Sequence, residues 1–166
     1  MRPRGIVLFW AMMTAIIAAL SLGLSLAHVL EAPSRLLTWS PELWREATVF
    51  NGQYRLFGIL GAPLDIAAIV CPAILAYLLR GQGGPSRLAA FAALFYAVAL
   101  TLWFWRVAPA NEVLATWTQG PIPADFETVR MRWETGHMAV AASKFVGLLL
   151  ASASSVLADR FRDRAG

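Results

Sequence analysis

Charge is scarce in this chain. Only 14% of its 166 residues are charged, too few to cover a water-soluble domain of this size. Cysteine is scarcer still: Cys71 stands alone, so no internal disulfide can form, and its place inside a hydrophobic run assigns it a buried apolar role. No basic and aromatic patch is present to meet nucleic acid, and no Cys-x-x-Cys-His is present to attach a haem. What is abundant is apolar: 58% of residues are hydrophobic and the mean hydropathy is +0.60. These values describe a membrane protein, read as a single domain over 1–166. The formal net charge of +4 is read first as a signal of orientation in a bilayer.

Four apolar segments follow one another. Residues 5–30 carry no charge and are long enough to span a hydrocarbon core of roughly 30 Å. Ser25-Leu26-Ala27 has the form of a signal-peptide cleavage site, but the apolar run exceeds the usual roughly 7–15 residues, so the segment reads as a transmembrane helix. Pro33 is expected to end it just past Glu31. In the polar section that follows, Ser40-Pro41-Glu42 supplies a cap and a proline at the first helical position, which predicts a short interfacial helix from 41 to about 49. The second span is 56–79, with Pro63 and Pro72 as kink sites, and a tight loop at 80–87 leads to the third span, 88–105. Residues 106–120 return to polar composition. A turn at 121–125, with Asp125 as cap, then opens one long helix from 126 to about 157, whose last twenty residues form the fourth span. The fold expected is all-α, an integral membrane four-helix bundle with a short interfacial helix in the first outer loop.

Arginine counts give the orientation. The two tails and the middle loop hold seven arginines against two aspartates, net +5, whereas the opposite side holds six arginines against seven carboxylates, net −1. By the positive-inside rule both termini are cytoplasmic, in the cell membrane of bacterial inner-membrane type, and the two longer loops face outward.

The first span ends in His28-x-x-Glu31 and the fourth opens with Glu134-x-x-His137, each an i, i+3 pair on one helix face. Antiparallel helices place both motifs at one depth, histidines inward and glutamates toward water. Neutral imidazoles with carboxylates suit zinc, iron, copper or manganese. The bland counterpart is a network of His-Glu hydrogen bonds tying the first helix to the fourth. Deeper lie Asp65 and Lys144. A charge at a helix centre costs about 2.5–3.5 kcal/mol on insertion scales, so the two are expected to meet as a buried ion pair, a clamp between the second and fourth spans or part of a proton or substrate path.

Six of the seven tryptophans lie on the outer side. An interfacial belt explains that asymmetry, and a pocket for a flat aromatic substrate, walled by Tyr54, Trp117 and Trp133, is the sharper reading. Asn111 stands near the polar cluster as a supporting residue or a simple turn residue. Arg130 and Arg132 either attract an anionic substrate or pair with Glu127 and Glu134.

A first span closing in His28-x-x-Glu31-x-Pro33, an Asn111 after the third span with Trp117 following, and Arg132-Trp133-Glu134-x-x-His137 opening the fourth together resemble the small anthrone-oxygenase-like membrane proteins. The resemblance covers nearly the whole chain, and its last motif is the most specific part. It implies a four-helix membrane bundle whose site is the His/Glu cluster, with His28, Glu31, Asn111, Arg132, Glu134 and His137 as catalytic candidates. It further implies oxidation of an activated methylene by molecular oxygen, with a hydrophobic, aromatic small molecule and oxygen as reactants and membrane lipid as surroundings. Two mechanisms fit. His28, Glu31, Glu134 and His137 hold iron or copper, with zinc as a further option, and keep an open position for oxygen, or no cofactor is present and a histidine removes a proton from an acidic carbon that then reacts with oxygen. Two carboxylates and two imidazoles exceed the needs of one proton transfer, which favours the metal. Outside the enzyme class stands a membrane protein whose cluster is a structural network or a structural metal site.

Overall fold

The computed structural model describes residues 4–163 except Gln53, with side chains as far as Ala158. Arg2 and Arg164, and the side chains of Asp159, Arg160, Arg162 and Asp163, all of which enter the charge count, lie outside the described residues. Helix α1 runs Arg4–Leu37, α2 Pro41–Arg45, α3 Arg55–Leu78, α4 Gly83–Leu102, α5 Ala108–Leu114 and α6 Phe126–Asp163. A π-helical turn, Glu46–Phe50, continues α2, and a second, Trp103–Val107, joins α4 to α5. Four stretches, Arg4–Leu37, Arg55–Leu78, Gly83–Leu114 and Phe126–Ala158, are long and apolar enough to cross a membrane. The chain is thus an all-α four-helix bundle that fits a multi-pass membrane protein.

The helices form a ring in which α1 and α4 each pack on both α3 and α6. Its inward faces are built from small residues: Ala18, Ala68, Ala89, Ala92 and Ala99 are completely buried. Small side chains let helix backbones approach closely, the main source of packing where lipid is as apolar as leucine. Gly147 takes this furthest, since a Cβ there would sit 2.7 Å from the Tyr96 ring, whose hydroxyl donates across the bundle to the Ala18 carbonyl at 2.9 Å. Large apolar side chains such as Leu8, Phe9, Ile59, Phe91 and Leu149 point outward instead. That inversion of a soluble protein's pattern suits a lipid surround.

Three boundaries differ from the sequence reading. Helix α1 passes through Pro33 to Leu37. The missing proline N–H weakens the preceding turn, but the Arg35 guanidinium folds back along it and donates Nη2 to the His28 carbonyl at 2.7 Å. The third span starts at Gly83, so the loop before it is shorter than expected, and it does not end at 105 because the π turn carries it into α5. The short helix after the first span forms as expected, with Ser40 Oγ accepting from the Leu43 amide at 3.3 Å. Arg45 then ties it to the loop between α5 and α6 through the carbonyls of Gly120 at 2.7 Å and Pro121 at 3.0 Å.

The deep ion pair forms. Lys144 Nζ lies 2.6 Å from Asp65 Oδ1, and Ser21 Oγ donates to the same oxygen at 2.7 Å, so the clamp joins α1 as well as α3 and α6. Asp65→Asn is expected to destabilise the fold by about 3–5 kcal/mol because it strands a buried ammonium. The double change Asp65→Asn, Lys144→Met should cost clearly less in a thermal or denaturant unfolding series. Equal losses would mean the two charges are not coupled.

Candidate functional site

The two histidines meet. His28 on α1 and His137 on α6 stack with ring centroids 4.0 Å apart and planes at 18°, so the antiparallel helices do bring both motifs to one level. Both side chains are buried, and His28 Nδ1 has no hydrogen-bond partner. Around the pair stand Trp133, Tyr54 and Phe57, with centroids 5.2, 5.0 and 4.7 Å from that of His28.

The glutamates take another role. Arg35, completely buried, makes a fork to Glu134, with Nε to Oε1 at 2.7 Å and Nη2 to Oε2 at 2.8 Å. Its Nη1 donates to Glu31 Oε2 at 2.7 Å and to the Tyr54 hydroxyl at 3.0 Å. Trp44 Nε1 adds a bond to Glu134 Oε1 at 3.0 Å, and the Tyr54 hydroxyl donates to Glu31 Oε2 at 2.9 Å. One guanidinium therefore answers two carboxylates, the bidentate geometry for which arginine is suited and lysine is not.

This knot bears directly on the four-ligand metal reading. Iron, copper or zinc held by His28, Glu31, Glu134 and His137 would compete with Arg35 for both oxygens of Glu134 and for Oε2 of Glu31, and a cation beside the guanidinium would be repelled. Among the described residues no three His, Cys, Asp or Glu side chains are placed to hold a metal ion. The four-ligand set does not fit this geometry, and Arg35 is the physical reason.

Burial pushes the Tyr54 hydroxyl up to about 12, against the opposing pull of Arg35. A phenol whose folded value lies above its ordinary 10 favours folding while it stays protonated. Its contribution is complete below about pH 10 and is lost as pH rises through about 12. The difference in unfolding midpoint between wild type and Tyr54→Phe should therefore shrink over that window; a difference constant with pH would contradict the burial of the hydroxyl.

A cavity of about 420 Å³ opens beside the histidines. His28, His137, Trp133, Tyr54 and Phe57 form the end nearer α2, and Asp65 and Lys144 lie at the end deeper in the bundle. Both π turns contribute walls: Thr48 and Val49 from the first, Trp103 and Phe104 from the second. Such turns insert one residue into a helix and re-aim its side chains, often at functional sites. On α3 the wall is Gly58, Gly61 and Ala62, and a Cβ at either glycine would meet only open space.

The other expected residues separate clearly. Tyr54 and Trp133 line the cavity; Trp117 does not, being buried in a cluster with Phe126 at 5.6 Å and Trp44 at 6.4 Å. Asn111 accepts from Trp133 Nε1 at 2.9 Å, which fixes that indole over the cavity. Arg132 reaches the Trp105 carbonyl at 3.2 Å, not Glu134, because Glu134 turns inward to Arg35; Arg130 pairs with Glu127 at 2.9 Å. The tryptophan belt is also revised. Trp44, Trp117 and Trp133 are buried, Trp103 lines the cavity, and Trp105 is the one that stands 65% exposed. Arg35, Trp44 and Phe57 are the residues sequence reasoning missed. The i, i+4 spacing of Glu31 and Arg35 was the available signal, hidden by the expectation that Pro33 ends the helix.

Gly136, one residue before His137, permits this assembly. A Cβ there would stand 2.9 Å from Val107 Cγ2 and 3.1 Å from Arg106 Cβ, so the missing side chain lets the second π turn press against α6. No known family's sequence pattern, curated protein or solved structure matches the chain.

Proposed function

We propose that this chain is a membrane-embedded oxidoreductase that uses molecular oxygen to convert an activated methylene of a hydrophobic, aromatic substrate into a ketone, with the histidine pair as the base. The observation that carries the reading is the buried, stacked His28/His137 pair at the head of an aromatic-walled cavity, with His28 Nδ1 free of any partner. The cavity volume lies within the roughly 300–1,000 Å³ range of small-molecule sites. The resemblance to anthrone-oxygenase-like proteins supplies the reaction class.

The chemistry closes without a cofactor. The imidazole takes a proton from the CH2 group, and the electron pair left behind conjugates into the neighbouring ring system. That carbanion reduces oxygen and forms a C–O bond, giving a hydroperoxide once the imidazolium returns its proton. Loss of the second C–H proton breaks the O–O bond, and the products are the ketone and water. Carbon is oxidised by four electrons, all accepted by one oxygen molecule. Apolar walls keep water from the carbanion, and Trp133, held by Asn111, provides a flat face for a ring.

The remaining placement belongs to the same proposal. The membrane is of bacterial inner-membrane type with both termini cytoplasmic, so the histidine end of the cavity opens toward the outer leaflet. Gly58 and Ala62 on α3 and Phe104 beside α4 are exposed as well as cavity-lining, which suits entry of substrate from lipid between those helices. A second reading rests on the Arg35 knot: the cluster ties α1 to α6, and the cavity only binds. Oxygen uptake with anthrone-type substrates in detergent or nanodiscs separates the two. The enzyme reading expects one oxygen consumed per ketone formed, with one labelled atom in the ketone when ¹⁸O₂ is supplied. Binding without uptake would leave the second reading.

A further inference from the structure

The ion pair at the deeper end of the cavity has a feature that a plain structural clamp does not need. Lys144 is only 3% exposed, yet it and Asp65 both line the cavity that His28 and His137 head. An ammonium has three N–H donors. One goes to Asp65 Oδ1 at 2.6 Å and a second reaches the Ser21 carbonyl at a long 3.4 Å. No acceptor takes the third among the described residues. Among the described residues both bonds to Asp65 fall on Oδ1 and none on Oδ2.

The spacing ties this end to the histidines. His137 and Lys144 are seven residues apart on α6, two turns or ~10 Å along one face. The lysine side chain leans toward the helix N-terminus, the end from which His137 projects, and Val140 lines the cavity between them. On α1, Ser21, Ser25 and His28 follow the same face. The cavity therefore presents a base at one end and a buried cation with a spare donor at the other, separated by a wall that is apolar except for Ser25.

We propose that Lys144 is an oxyanion-binding residue. Its ammonium holds the carbonyl or phenol oxygen of a bound aromatic ligand and stabilises the negative charge that reaches that oxygen when the histidine pair removes the proton. The inference rests on the oxidation proposed above and narrows its substrate to one in which the acidic carbon is conjugated to an oxygen at the far side of the ring system. The C–H bond breaks, its electron pair moves through the rings, and the C=O becomes C–O⁻ beside Lys144. Reaction of the carbon with oxygen returns the pair and restores the carbonyl. A donor fixed where charge develops, in a site screened from water, is worth more than the same donor in solution. Asp65 keeps the lysine in place and balances its charge when the cavity is empty.

The test uses a hydroxyanthraquinone, whose absorbance moves to the red when its phenol ionises, so it reads the cation without turnover. Bound to the wild type, the dye should ionise at a pH lower by at least one unit than in protein-free detergent, a tenfold change in its ionisation constant. The double variant Asp65→Asn, Lys144→Met should bind it with that shift abolished. Lys144→Gln, which keeps an amide donor for Asp65, serves if the double variant does not fold, and should also lose the shift. His28→Ala with His137→Ala should retain it. An unchanged shift in the lysine variants, or no binding to the wild type, would overturn the proposal. A dye shift without oxygen uptake by the wild type would sink the oxidation while leaving the anion site; uptake without a lysine-dependent shift would do the reverse.

Discussion

Replacing His28 or His137 by alanine is expected to lower the oxidation rate by about 10²–10⁴-fold, the usual contribution of one positioned proton-transfer group. The fold should survive, because neither ring makes a hydrogen bond among the described residues; each contributes a stacked face 4.0 Å from the other. For the same reason the double variant should be little worse than either single one. Groups that act as a unit lose most of their effect together. Oxygen uptake under saturating substrate, with unfolding midpoints recorded alongside, checks both parts. Additive losses would mean that the rings work separately.

Removing Arg35 is expected to cost as much stability as breaking the Asp65–Lys144 pair. Arg35→Met leaves Glu134, 1% exposed, as a buried carboxylate with Trp44 Nε1 as its remaining donor, and Glu31 loses its guanidinium as well. Truncating one partner of such a pair costs about 3–5 kcal/mol. The double change Arg35→Met, Glu134→Leu should recover much of it, since an apolar pair replaces an unpaired charge. Arg35→Lys should rescue poorly, because an ammonium cannot reproduce the fork to both oxygens of Glu134. Denaturant midpoints in a fixed detergent measure all three, and a harmless Arg35→Met would show that the knot contributes nothing to the fold.

These expectations show where the sequence was legible. Span number, the Ser40 cap, the long final helix and the meeting of Asp65 with Lys144 follow from local rules: apolar length, capping chemistry and the cost of charge in lipid. The convergence of His28 with His137 followed from antiparallel helices carrying mirrored motifs. The fate of the glutamates did not, since it depends on Arg35, which a helix ending at Pro33 would have placed in a loop. Once the helix continues for one more turn, Glu31 and Arg35 become i, i+4 neighbours and the guanidinium turns inward to Glu134. Trp117 was likewise ambiguous, because a tryptophan in a polar loop reads equally as belt, pocket or core. Its burial against Trp44 and Phe126 depends on how the loop between α5 and α6 folds back, which no short motif encodes. The π turns had no sequence signal strong enough to mark them, yet they aim Val49, Trp103 and Phe104 into the cavity.

The central claim is that the histidine pair works as a base without a metal, the glutamates being held by Arg35. Oxygen uptake by protein stripped with a strong chelator, with residual metal measured on the same sample, addresses it most directly. The account predicts full activity in the stripped protein and its loss in His28→Ala and His137→Ala. Activity that disappears on stripping and returns with iron or copper would contradict it.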